Sequence, residues 1–531
     1  MNDLAVDVVV IGGGLGGVAA ALAASSAGCR VALTEQTGWI GGQLTTQAVP
    51  PDEHPWIEQF GCTASYRRLR NGIRAYYRAW YPLSERARAD RWLNPGAGTV
   101  SRLCHEPRVA LAVLDAMLAP HRAAGRLTVR AGHRPISAEV DGDVVRSVTL
   151  AGRDGSTLDV AARYFVDATE AGDLLPLTGT EYVTGFESSD ATGEPHAPAL
   201  AQPANMQAVS VCFAVDHRAD EDHTIDRPAD YAHWRAYRPP SWPGPLLSWT
   251  APDPPTLEPV ERLFAPNPDD ADDAGDGDGD RALWIFRRIA ARRTFAPGFL
   301  DSDVTLVNWP MIDYASGPLF EVAAEEAARH LAGARQLSLS FLYWMQTEAP
   351  RPDGGAGFPG LRLRGDLVGT DDGLAITPYI RESRRIRALY TVTEQDVSYA
   401  VRGDQGAVHY PDSVGVGSYR IDLHPSTGGD GYLDVPSCPF EIPLRALVPR
   451  RMTNLLPGAK NPGTTHITNG CFRLHPVEWN IGEVAGLLAA FCLSERTVPA
   501  RVASDADVFG DFERRLHAAG VETRWPRITG Y

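Results

Sequence analysis

The chain has 531 residues, 44% of them hydrophobic and 22% charged, with a formal net charge of −16. This predicts a soluble globular protein of two or three domains, and the acidic balance argues against nucleic acid or an anionic membrane as a partner. Seven scattered cysteines without a Cys-x-x-Cys pair predict reduced thiols, a cytoplasmic location, and neither a disulfide framework nor a metal site.

The opening MNDLAVDVVVIGGG has no basic segment, so no signal peptide is expected. Apolar stretches are broken by glycine or charge before the ~20 residues that a membrane span requires. Lys460 is the only lysine among 50 basic residues, a bias that reads as GC-rich coding.

Residues 6–35, VDVVVIGGGLGGVAAALAASSAGCRVALTE, form a β-α-β pattern with Gly12, Gly14 and Gly17 in G-x-G-x-x-G spacing. Gly12 permits the tight turn, Gly14 lets the backbone approach a pyrophosphate, and Gly17 lets the helix pack on the strand. Glu35 ends the second strand, where a carboxylate can accept hydrogen bonds from a ribose diol and repel a 2′-phosphate. The next stretch, QTGWIGGQLTTQ, is a second glycine-rich loop whose Gly41, Gly42, Gln43 and Thr46 suit the backbone donors a flavin needs.

Residues 51–100 are rich in aromatics and arginine and read as a helical cap. A helix and a strand are expected over 110–134. Hairpin strands then turn at Asp141-Gly142 and Asp154-Gly155. YFVDATEAGDLLPLTG reads as a strand that ends on small residues, leaving room for a cofactor beyond its edge.

From about 190 to 437, strand-like pieces (NMQAVSVCFAVD, ALWIFRRIA, VTLVNWP) alternate with Pro-rich loops, and 321–346 reads as an amphipathic helix. The acidic run over 266–281 lacks the EF-hand pattern and reads as a solvated loop. Near the end, LLPGAK is a short strand and turn, and KNPGTTHITNGCFRLH is a polar loop. A helix follows, with Pro476 at its start and Gly482 and Gly486 on one face.

These pieces, together with YIRESRRI, resemble the FAD-dependent oxidoreductases of the glutathione-reductase-like superfamily, in the branch related to fumarate-reductase-type and heterodisulfide-reductase-type flavoproteins. The resemblance implies an α/β fold: a Rossmann-like FAD-binding domain (1–50, 101–190 and 438–531), a helical cap segment (51–100), and an inserted α+β substrate domain on a mixed β-sheet (191–437). It also implies noncovalent FAD. Gly12, Gly14 and Gly17 would face the pyrophosphate and Glu35 the adenosine ribose. Gly41, Gly42, Gln43 and Thr46 would line the stretch toward the flavin. Pro135 would meet adenine, and Ala168 and Thr169 the cofactor's edge. Gly458 and Lys460 would lie on the ribityl side, with backbone N–H groups of Asn480 and Ile481 on the flavin pyrimidine.

Removing a hydride from an alcohol or amine carbon needs a base within hydrogen-bond reach. His466 is the leading candidate and His475 the second. Arg473 suits a substrate carboxylate or carbonyl. On a strand Tyr379 and Arg381 would share one face and Glu382 the other, while Asn308 and Asp313 are weaker candidates. The chain shows no second G-x-G-x-x-G at a strand-to-helix junction, so the expected activity is a dehydrogenase or oxidase acting on a small molecule. An FAD monooxygenase using NAD(P)H and oxygen, or a halogenase, is the alternative, although the Trp-x-Trp-x-Ile-Pro of halogenases is absent and the Gly-Asp motif of hydroxylases is poorly matched. A flavin protein without turnover is the third reading, and oligomeric state is left open.

Overall fold

The computed structural model describes residues 2–268 and 281–526; most of the acidic run over 266–281 lies outside them. A seven-stranded sheet organises the two ends of the chain. It contains β1 (Asn2–Ile11), β2 (Val31–Glu35), β3 (Leu127–Ala131), β4 (His133–Asp141), β5 (Val144–Gly152), β6 (Thr157–Asp167) and β7 (Leu455–Pro457). β3, β2, β1, β6 and β7 run parallel, while β4, β5 and β6 form an antiparallel meander turning at the two Asp-Gly pairs. Val8 to Ile11 are wholly buried, as expected of a central parallel strand covered on both faces. β5 pairs with the first half of β6 and β7 with its last three residues. The chain therefore returns to the sheet after nearly 300 residues.

Two apolar helices pack beside this sheet. α1 (Leu15–Ser26) is alanine-rich and buried at every position but the last. The helix His475–Glu495, here α6, is long and apolar enough to cross a membrane by composition, contrary to the sequence expectation, but most of it is buried inside the molecule. Its two glycines explain the packing. A Cβ on Gly482 would stand 1.9 Å from the Gly16 carbonyl oxygen, and one on Gly486 would stand 2.3 Å from that of Ala20.

α2 (Ala64–Trp80) and α3 (Pro107–Ala123) cover this unit, burying Tyr66, Leu69, Ile73 and Tyr77. Arg70 and Arg74 are also buried on α2, where they share Glu58. The arginine-rich stretch is thus only partly a solvated face.

The central region carries a four-stranded antiparallel sheet in the order Arg288–Ala290, Val304–Val307, Phe213–His217, Leu361–Leu363. α4 (Ala324–Thr347) packs on it around Trp249, Trp284, Trp309 and Phe341. ALWIFRRIA, expected as one strand, divides into a helical turn (Leu283–Phe286) and a strand. Arg288 turns inward to bond Asp303 at 3.0 Å and the Gly96 carbonyl at 2.7 Å. The loop TTHIT is also more regular than expected: His466–Phe472 is a helix, α5. Thr465 caps it by accepting from the Thr468 amide, which satisfies an otherwise orphaned donor.

Gly482→Ala should destabilise the protein by about 1–3 kcal/mol through overpacking against Gly16. Gly38→Ala, where an added Cβ meets nothing within 4 Å, should leave thermal unfolding unchanged. Comparing the two melting curves checks this.

Candidate active site

The parallel register aligns the C-terminal ends of the strands. Ile11 pairs with Thr34 on one side and Asp167 on the other, and Asp167 pairs with Pro457. A cavity of about 570 Å³ opens at this edge, where parallel α/β sheets bind ligands. Gly12, Gly14, Glu35 and Gly42 line it, as do Thr46, Pro135, Ala168 and Thr169. Its walls extend from Pro135 and Gly152 on the meander to Thr377 and Pro378 of the central region. Thr377 is tied to Thr46 by its amide and its hydroxyl, each at 3.0 Å.

The cradle is made of backbone. Gly12 has φ +102°, and a Cβ there would lie 2.2 Å from the Ala168 carbonyl oxygen. Glu35 accepts from the Gly13 and Thr37 amides at 3.0 and 2.7 Å, leaving further lone pairs for a ribose diol. Asp167 fixes the turn after β6, accepting from the Thr169 amide and hydroxyl and the Leu174 amide. Burial pushes its pKa up to about 7.

Several expected residues sit behind the cavity wall. Gly17 lets α1 approach the Gly12 carbonyl, and the Gly41 amide donates to Gly13 at 2.7 Å. Gln43 bonds the Arg473 carbonyl and Glu478. Gly458 lies against Gly16, and Lys460 is buried in an ion pair with Glu170. Burial works against the Lys460 charge, but Glu170 and Glu478 hold it protonated. Asn480 and Ile481 need correction as donors. They lie in the second turn of α6, where the helix uses its own amides, and the Asn480 side chain donates to the Val414 carbonyl. The open first-turn amides of α6 are those of His475 and Val477.

Three of the four residues expected to act on substrate come together. Arg473 donates to the Tyr379 hydroxyl at 3.1 Å and to Asp422 at 2.9 Å. The Arg381 guanidinium lies 5.0 Å from the centre of the Tyr379 ring and bonds Asp313 at 3.0 Å. His424 closes the circuit, with Nδ1 2.6 Å from Asp313 and Nε2 3.6 Å from Asp422. Burial opposes ionisation of Asp313, but Arg381 and His424 bring its pKa down to about 2. Asp422 and His424 escaped notice in the sequence, although their alternate positions in RIDLH point both side chains to one face.

His466, the fourth, belongs to a separate polar group. Its ring stacks on Phe186 at 3.6 Å between centroids, and Nδ1 lies 3.0 Å from Glu382. Glu382 also meets Arg385 and the amides of Gly185 and Gln207. It faces away from Arg381, although the expected strand is not formed: Tyr379 makes one isolated bridge and 380–384 are irregular. Although burial raises the Glu382 pKa, His466 and Arg385 bring it down to about 2. An ionised carboxylate only accepts hydrogen bonds. His466 therefore donates from Nδ1–H and leaves Nε2 buried without a partner. His475 has the opposite arrangement. Its Nδ1 accepts from the Asp52 amide at 3.0 Å, and burial lowers its pKa well below the usual value. Neutral His475 thus carries its proton on Nε2, as a donor.

Residues 7–516 match the family model described as FAD dependent oxidoreductase. No curated protein matches the chain. Among solved structures, the myxobacterial chondrochloren halogenase is 14% identical, covering 97% of this chain and 79% of that one, with a TM-score of 0.35. The FAD complex of glycerol-3-phosphate dehydrogenase from Bacillus halodurans is 16% identical over 40% of each chain, TM-score 0.23. The p-nitrophenol 4-monooxygenase of Pseudomonas putida is 17% identical over 41% of this chain and 49% of that one, TM-score 0.23. The residues present fit FAD. Glu35 offers acceptors at one part of the cavity, and Gly12, Gly14 and Gly42 line it in turns so close to the Ala168 carbonyl and the Glu170 carboxylate that none has room for a Cβ.

Gly12→Ala should lower both the melting temperature and the FAD content, because the new Cβ meets the Ala168 carbonyl in a left-handed turn; thermal unfolding and the visible flavin absorbance of the purified variant check this. Glu382→Gln should cost about 1–3 kcal/mol near neutral pH, because Arg385 loses its more deeply buried carboxylate and keeps only Glu187. The sign follows from the depressed folded pKa: the Glu382 contribution is complete above the unfolded value of about 4.3 and is lost as pH falls toward 2. Denaturant titrations at several pH values should show wild type and variant converging across that window.

Proposed function

The chain belongs to the FAD-dependent oxidoreductase family, and from that premise we propose that it oxidises a small organic substrate at an alcohol or amine carbon, with oxygen or another acceptor completing the cycle. When bound, FAD supplies the two-electron acceptor for the substrate's hydride. The observation that carries the reading is the orientation of His466. Its Nδ1–H is fixed on an ionised carboxylate, and the opposite nitrogen is buried and unpartnered.

In its neutral form the ring keeps its proton on Nδ1 and offers Nε2 to the proton that an alcohol or ammonium loses. Glu382 stabilises the imidazolium that results and holds the ring in one tautomer, as a carboxylate does behind a catalytic histidine. Phe186 covers the ring face and excludes water from it. Arg473 would orient a carbonyl or carboxylate oxygen of the substrate, held in place by Tyr379 and Asp422. Arg381 acts behind it as a positioning residue: Asp313, Ser210 and the Ala208 carbonyl fix it under the Tyr379 ring.

The purified yellow protein should keep its ~450 nm flavin band under anaerobic NADH or NADPH and bleach only with an alcohol or amine substrate. Rapid bleaching by either nicotinamide would move the assignment to a monooxygenase. His466→Ala should retain FAD but reduce it with substrate at least ~100-fold more slowly. Undiminished reduction across pH would remove His466 from the mechanism.

A further inference from the structure

Glu170 is a carboxylate inside a cradle built for an anion. It follows the Asp167-Ala168-Thr169 turn and lines the cavity beside Gly14 and Gly42. A Cβ on Gly14 or on Gly42 would lie 2.9 or 2.7 Å from its Oε1, so this oxygen sits between the two glycine loops. Oε1 is buried and has no hydrogen-bond partner, while Oε2 receives the ammonium of Lys460. That ammonium is the only lysine charge in the chain. Lys460 is itself buried, and its carbonyl is held by the Asn469 side chain at 3.2 Å. Glu35, Glu478 and Asp173 are the neighbouring carboxyls, and His133, Arg134 and Arg153 line the same cavity farther out.

The balance of charge is therefore unusual for a phosphate site. Glycine loops and a helix N-terminus favour an anion, yet a carboxylate oxygen without a hydrogen-bond partner sits between the two loops, with a buried ammonium on its other oxygen. A point ammonium on a flexible stem can turn from one anion to another more readily than a planar guanidinium, whose fork suits one fixed bidentate partner.

We propose that Glu170 and Lys460 together set the affinity of the cradle for the pyrophosphate of FAD. Glu170 opposes the phosphates and Lys460 offsets it. When the pyrophosphate is bound, Lys460 is shared between the carboxylate and the phosphates.

The test uses the oxidised full-length protein without substrate, so it is independent of the hydride reading above. Dissociation constants are measured by flavin fluorescence for FAD and riboflavin, and by competition for ADP, which carries the pyrophosphate but no flavin ring. Glu170→Gln should tighten FAD and ADP about tenfold or more, a direct relief of like charge, and leave riboflavin unchanged. Lys460→Met should weaken both. The double variant should show that removing Lys460 costs less once Glu170 is neutral, a coupling that independent sites lack. Glu170→Ala provides the same neutralisation should the amide variant misfold. Unchanged or weaker ADP binding in the neutral variants would overturn the proposal, and so would equal tightening of riboflavin, which would place the carboxylate's effect at the ring.

Discussion

Everything at the active site depends on how closely α6 approaches α1. Backbone meets backbone there, because Gly482 and Gly486 leave no Cβ between α6 and the carbonyls of Gly16 and Ala20. That contact holds the end of the chain against its beginning. It also brings Glu478, on the first turns of α6, onto the Gly16 amide at 3.1 Å. Pairing of β7 with β6 then delivers Gly458 and Lys460 beside the glycine loops. A single added methyl at this crossing would move every residue that the C-terminal segment contributes.

The site joins two kinds of polar construction. Around the cofactor cavity the groups are mostly backbone amides and carbonyls, which cannot be exchanged by substitution and tolerate little space. Toward the central region the groups are charged side chains arranged as a closed circuit: Arg473, Asp422, His424, Asp313, Arg381 and the Tyr379 ring. Buried charges persist only when each is paired and hydrogen-bonded. The circuit meets that condition by giving each carboxylate one arginine and a share of the His424 ring. It makes the position of Arg473 depend on residues from three other segments, which is how a distant part of the central region can position a group just before α6.

The two histidines near the start of α6 illustrate what a hydrogen bond decides. Both are buried, and both are neutral-range bases by residue type. One faces a carboxylate and the other an amide N–H. The free nitrogen is consequently an acceptor on His466 and a donor on His475, so only one of them can take a proton.

The nucleotide-binding half was legible in the sequence because its signals are local. Gly12, Gly14, Glu35 and the strand ending at Asp167 occupy contiguous stretches whose period and glycine spacing dictate the β-α-β turn regardless of context. The alternation that separates Arg381 from Glu382 is equally local. The partners of those residues are not. Asp313 was visible only as a weak candidate, His424 and Asp422 not at all, and Glu170 stood in a recognised motif without a function. Their roles arise from contacts between residues 51 to 290 positions apart, such as Arg473 with Asp422 and Lys460 with Glu170. The sequence alone determined the fold of the cradle and the residue types that could work there. Only the tertiary structure decided which charge faces which, because pairing energy depends on distance and burial, and neither is encoded in any one stretch of chain.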